Sequence, residues 1–168
     1  MIDFYKNKFE REQKRRTDLD SSINIPILVL TLIMGLNSYI IKEYIFNENW
    51  GFLDWLIIIF LCLSGILILL SSYFIFWTSN NLFFGFDYPN FDLMSKYREI
   101  EKYNKTCPKD KIMNLEEIIK DKIVSYADEY TIINDKRGHN LYWSRNFIII
   151  NFLITILNLI IITSVKIL

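Results

Sequence analysis

The chain has 168 residues, of which 52% are hydrophobic and 23% charged, with 19 Lys and Arg balancing 19 Asp and Glu. That length allows one domain or one small membrane bundle. A formal net charge of zero argues against nucleic acid as the main partner, because phosphate binding needs a basic surplus. A soluble fold would mix apolar and charged residues along each amphipathic element. Here they stand in blocks, with no charge between Asp54 and Asp87 or between Arg145 and Lys166.

Residues 1–22 are strongly charged, with Phe4, Tyr5 and Phe9 near the start, and are expected to form an amphipathic helix lying at a membrane surface or against a bundle. No small-residue cleavage site follows an apolar core, so the first hydrophobic run is read as a retained helix. That run is Ile23 to Ile41, just long enough for a hydrocarbon core of about 30 Å at about 1.5 Å per residue. Pro26 lies in its opening turn, where a chain helical through both segments would kink.

Trp55 to Trp77 is the least ambiguous span, an uncharged stretch with an indole at each end. The short connection from Lys42 to Asp54 makes the first two spans a transmembrane hairpin over residues 23–78. After it, residues 79–146 form a polar insert. Leu93, Tyr97, Ile100 and Tyr103 recur at helical spacing, Cys107-Pro108 ends that helix, and Asn114 with Glu117 marks the start of the next as a capping box. Leu115, Ile118, Ile119, Ile123 and Tyr126 trace one face of that second helix. Residues 147–168 hold the third span, Phe147 to Val165, and the insert's last helix is expected to run nearly continuously into it through Asp135 to Asn146, with a bend at Gly138. The expected fold is thus all-α: an integral membrane bundle of three transmembrane helices with a cytoplasmic helical insert. Trp50, Trp55, Trp77 and Trp143 are its interface anchors.

Orientation follows from charge. The N-terminal segment carries six Lys or Arg and the insert eleven, leaving Lys42 in the hairpin loop and Lys166 near the C-terminus. Cationic residues favour the cytoplasmic side, so the N-terminus and the insert are placed inside and the C-terminus outside. One alanine against many Ile, Asn and Lys fits an AT-rich coding genome, and hence a bacterial inner membrane.

Among residues that carry chemistry, Asn151, Thr155 and Asn158 repeat at i, i+4, i+7 and line one helix face, and Asn37 is their counterpart in the first span. Such a stripe either bonds helices to one another, within or between protomers, or lines a water-filled seam. No ionisable group lies deep within a span, which argues against an ion pump or proton-coupled transporter. Lys14, Arg15 and Arg16 precede the first span and read first as a topology determinant, and second as a contact for anionic headgroups. Asp128, Glu129, Asp135, Arg137 and His139 form no set of three or four metal ligands and read as a solvated helix end. Arg137 and His139 are too close for the Arg-x4-His arrangement of HEPN-type ribonucleases. No phosphate loop or nucleophile elbow is found, so neither an enzyme nor a cofactor is expected.

A charged N-terminal helix, a membrane hairpin, a cytoplasmic helical insert, Asn134-Asp135-x-Arg137 and Ser144-Arg145 before a last span together resemble the small membrane effectors of bacterial antiphage defence systems, including SLATT-type proteins. The resemblance implies a homo-oligomer that damages or depolarises the inner membrane on activation. Its expected partners are the lipid bilayer and a soluble cytoplasmic sensor protein or nucleotide signal, with no direct nucleic-acid partner. The alternative is a non-enzymatic anchor or scaffold that holds a soluble partner through the helix faces at Leu93, Tyr97, Ile118 and Ile119.

Overall fold

The structure, a computed structural model, describes residues 2–44, 51–79, 88–89, 93–108 and 111–167. The described chain is all-helical: α1 (Ile2–Ser22), α2 (Asn24–Tyr44), α3 (Phe52–Thr78), α4 (Leu93–Thr106) and α5 (Leu115–Ile167). Three stretches, within Asp3–Lys42, Phe52–Thr78 and Leu115–Ser164, are long and apolar enough to cross a membrane.

Local chemistry explains the boundaries. Pro26 lacks an N–H, and its ring crowds the carbonyl four residues back; that residue is Ser22, the last of α1. The ladder resumes at once, with Ile27 N–H on the Ile23 carbonyl at 3.3 Å. At the start of α3 the extended Gly51 donates its N–H to the Asp54 carboxylate, which satisfies a donor the helix cannot reach and places an anion at its positive end. Ser79 N–H closes the other end on the Ile75 carbonyl at 2.9 Å. Asn104 joins α4 to the start of α5, accepting from Met113 N–H at 2.9 Å and donating to its carbonyl at 3.0 Å. Asn114 stands at the N-cap of α5, its carbonyl taking Ile118 N–H. The expected bend at Gly138 does not interrupt the helix, which runs on as one element through it.

The chain divides into two compact units, Met1–Leu19 with Gly85–Lys136 and Asp20–Phe84 with Arg137–Leu168. The first has a small aromatic core: Phe9, Ile123, Ala127 and Tyr130, with Tyr5, Tyr88, Ile119 and Tyr126 packed on it. Phe9 meets Tyr130 edge to face at 5.4 Å, and Tyr88 lies 4.7 Å from Tyr130, separations typical of favourable aromatic pairs. Ala127 is the sole alanine of the sequence, and its lack of bulk suits a position buried beside Phe9.

The second unit contains α2, α3 and the later part of α5. Its apolar cluster is Ile40, Ile57 and Ile162, flanked by Leu61, Leu159 and Ile161. The rest of its interior mixes buried apolar residues, among them Ile33, Leu67 and Ile148, with an unusual number of polar ones. Asn37, Ser64, Ser71, Thr78, Arg137, Ser144, Asn151, Thr155 and Asn158 are buried, whereas Leu28, Leu32, Ile59, Leu69, Ile149, Leu153 and Ile160 face outward. Leu69 is 72% exposed and Asn151 fully buried. In water this would invert the usual driving force, because apolar surface is stabilised by leaving water and unpaired amides are not.

Candidate functional site

Within the second unit, the buried faces of α3 and α5 supply the polar residues in register. On α5 they follow a three-four spacing, Arg137, Leu141, Ser144, Ile148, Asn151, Thr155, Asn158 and Ile162, which is the 3.5-residue period of helices that supercoil leftward around one another. On α3, Ser64, Ser71 and Thr78 repeat every seven residues and are fully buried.

Three of the four stripe residues expected from the sequence meet in one network, and Ser64 joins them. Asn37 Nδ2 donates to Ser64 Oγ at 2.5 Å, and that hydroxyl donates to Asn151 Oδ1 at 2.6 Å. Asn151 Nδ2 returns to the Ser64 carbonyl at 3.3 Å. Thr155 Oγ1 donates to the Asn151 carbonyl at 3.0 Å and lies 3.5 Å from Asn37 Oδ1, at the limit of a hydrogen bond. One side chain each from α2 and α5 is therefore tied to a single hydroxyl of α3. Ser71 and Thr78 instead bond back within α3, to the carbonyls of Leu67 and Phe74.

Asn158 is not brought into this network. It is fully buried, yet neither atom of its side-chain amide has a hydrogen-bond partner among the described residues, and the same holds for Ser144 Oγ. Each such group costs about 1–3 kcal/mol relative to a satisfied one. At the far end of the seam lies Arg137, fully buried. Its Nε donates to the Thr78 carbonyl at 2.7 Å, where α3 has run out of its own donors, and its Nη2 donates to Asp20.

The first unit carries a second buried polar group. Asn134 Nδ2 donates to the Glu12 carbonyl at 2.9 Å and to its carboxylate at 3.0 Å, while Asn134 Oδ1 accepts from Tyr88 at 2.8 Å. Around it, the three basic residues expected to act as one cluster are dispersed. Arg15 pairs with Asp135 at 2.7 Å and Glu12 at 3.6 Å, Arg16 lies over the Tyr88 ring at 4.3 Å, and Lys14 points outward. Asp128 is likewise paired, with Lys8 at 2.7 Å.

Of the tryptophan anchors, Trp55, Trp77 and Trp143 are exposed, and Trp50 lies outside the described residues. Trp143 Nε1 donates to His139 Nε2 at 3.0 Å. Tyr97, Ile118 and Ile119 face one another across a narrow cleft of about 60 Å³ that Ile100 also lines, so these faces are partly spent on each other. The side chain of Leu93 lies outside the described residues.

Sequence reasoning missed Ser64 and the Glu12–Asn134 bond and read Arg137, which is fully buried, as part of a solvated helix end. A signal was present for two of them: Asn134 and Arg137 extend the spacing of Asn151, Thr155 and Asn158 back along the same helix. Chemically the seam offers neutral amides and hydroxyls, which donate and accept but exchange no protons near neutral pH. It is suited to holding helices together or to contacting water and hydrated ions when widened.

These features define a class: an all-helical chain with three helices apolar and long enough for a bilayer, and with polar groups gathered inside. No family model matches the chain, nor does any curated protein or solved structure.

Proposed function

We propose that this is an integral protein of the bacterial inner membrane, N-terminus inside and C-terminus outside, which assembles as a homo-oligomer and permeabilises the membrane when triggered. The observation that carries the membrane part is the polarity of the second unit, with Asn, Ser and Thr buried and Leu and Ile outward. That arrangement is favourable in lipid, where an exposed amide costs more than an exposed isoleucine. The permeabilising part is supported by Asn158 and Ser144. Their unmet hydrogen bonds raise the energy of the closed seam relative to a form that admits water. The architectural resemblance to small antiphage effectors suggests defence as the setting and a cytoplasmic protein or nucleotide as the trigger.

One observation favours a second reading, a non-enzymatic membrane anchor or scaffold for a soluble partner. Asn37, Ser64, Asn151 and Thr155 satisfy one another within a single protomer, as a purely structural network would. Expression in bacteria with a membrane-potential dye and a propidium uptake assay separates the two. Depolarisation and dye entry together with the trigger support the effector; an intact potential with one stoichiometric soluble partner on pull-down supports the anchor.

A further inference from the structure

Lys8, Arg15 and Arg16 of the first unit are engaged, whereas Arg145 of the second is not. It is exposed and makes no hydrogen bond or ion pair among the described residues. It stands at one end of a groove of about 360 Å³ in the second unit, walled by Pro26 and Val29 of α2 and by Ile148, Phe152 and Leu153 of α5. The walls are almost wholly apolar. From Arg145 to Leu153 the groove follows eight residues of helix, about 12 Å at the helical rise, close to one leaflet's share of a roughly 30 Å hydrocarbon core.

We propose that this groove binds an anionic phospholipid of the cytoplasmic leaflet, with Arg145 on the headgroup phosphate and one acyl chain along Val29, Phe152 and Leu153. The proposal rests on the membrane reading above. Charge complementarity selects the occupant: an unpaired guanidinium beside an apolar channel matches a phosphate joined to a hydrocarbon chain, and guanidinium meets phosphate oxygens through two parallel hydrogen bonds. A helix from a second copy would fill the channel but leave the cation unpaired. The depth agrees as well. Arg145 lies two residues before Phe147, where the third apolar run begins, at the level where cationic side chains meet headgroups.

The test uses the full chain in a neutral detergent, titrated with phosphatidylglycerol or phosphatidylcholine while bound lipid is counted by native mass spectrometry. Phosphatidylglycerol is expected to bind about fivefold more tightly, the effect of one cation at an anionic surface. Arg145→Gln should abolish that preference, Arg145→Lys should keep part of it, Leu153→Trp should block both lipids, and Lys14→Gln should change nothing. Equal binding of the two lipids, a preference that survives Arg145→Gln, or displacement of phosphatidylglycerol by inorganic phosphate alone overturns the site. So does a groove closed by a second copy, seen as a dimer that Leu153→Trp dissociates without any lipid preference. Alkaline carbonate extraction of membranes keeps the two readings apart. Release of the wild-type protein into the supernatant removes the membrane reading itself, whereas retention with equal lipid binding removes only the site.

Discussion

Asn151 and Asn158 have the same side chain, the same complete burial and positions on the same helix face, yet opposite hydrogen-bond states. Asn151 accepts from Ser64 and donates to its carbonyl; the Asn158 amide has no partner among the described residues. Replacement by leucine should therefore act in opposite directions. Asn158→Leu removes an unsatisfied amide and is expected to stabilise the folded protein by about 1 kcal/mol. Asn151→Leu breaks two interhelical bonds and strands the Ser64 hydroxyl, and is expected to destabilise by about 1–2 kcal/mol. Thermal unfolding of each variant in the same detergent checks the signs, and two losses of equal size would show that Asn158 is bonded after all. The four stripe residues were legible in the sequence because Asn and Thr stand out within an apolar run and their spacing reports a face. Ser64 was not, since a lone serine in a hydrophobic helix carries no sign of whether it bonds to its own backbone, as Ser71 does, or across to a neighbour.

Helix boundaries were legible wherever a residue acts on the backbone directly. Pro26 sets the break after Ser22 and Cys107-Pro108 follows the end of α4, whereas the start of α3 at Phe52, set by Gly51 and Asp54, falls within the stretch that reads as the connection from Lys42 to Asp54. Gly138 does not end α5, because a glycine costs only about 1 kcal/mol in a helix interior and the periodic buried face on both sides of it outweighs that. Arg137, one residue earlier, was obscured by its neighbours: between Lys136 and Gly138, near Asp135, it reads as part of a solvated charged segment. The structure instead buries it as a clasp on two other helices, capping the last carbonyl of α3 and pairing with Asp20 near the end of α1. Removing one partner of a buried charge pair leaves the other exposed to its full desolvation cost. Arg137→Met leaves Asp20, which is 46% exposed, able to turn to solvent, so the expected loss is about 2–3 kcal/mol, below the upper range for fully buried pairs. Asp20→Asn should cost at least as much, because the guanidinium it leaves without a counter-charge is fully buried, although the Thr78 carbonyl still accepts from Arg137 Nε. Chemical denaturation of the two single variants and the double variant gives the coupling energy directly, and a coupling near zero would show that Asp20 has no part in the clasp.

For the whole molecule, the division into charged and apolar blocks was plain in the sequence, and three helices of sufficient length and apolarity follow from it. The inward turn of their polar residues needed the structure, because periodicity gives a face but not what that face meets. Sidedness is where the proposed reading makes its most direct claim. Six of the 19 basic residues precede the first span and eleven lie between the second and third, so the energetic bias of cationic loops toward the cytoplasm acts twice in the same sense. The two cysteines are both free and suit a test. Cys107 follows α4 in the insert and is half-buried, whereas Cys62 lies in the uncharged middle of α3, where a bilayer would shield it from a charged reagent. With Cys62 replaced by serine, a membrane-impermeant maleimide should label Cys107 in inverted membrane vesicles but not in intact spheroplasts. Labelling only in spheroplasts would reverse the topology. Equal labelling in both, with membranes shown to be sealed, would mean that the charge asymmetry does not set the orientation and that the insert is found on either face.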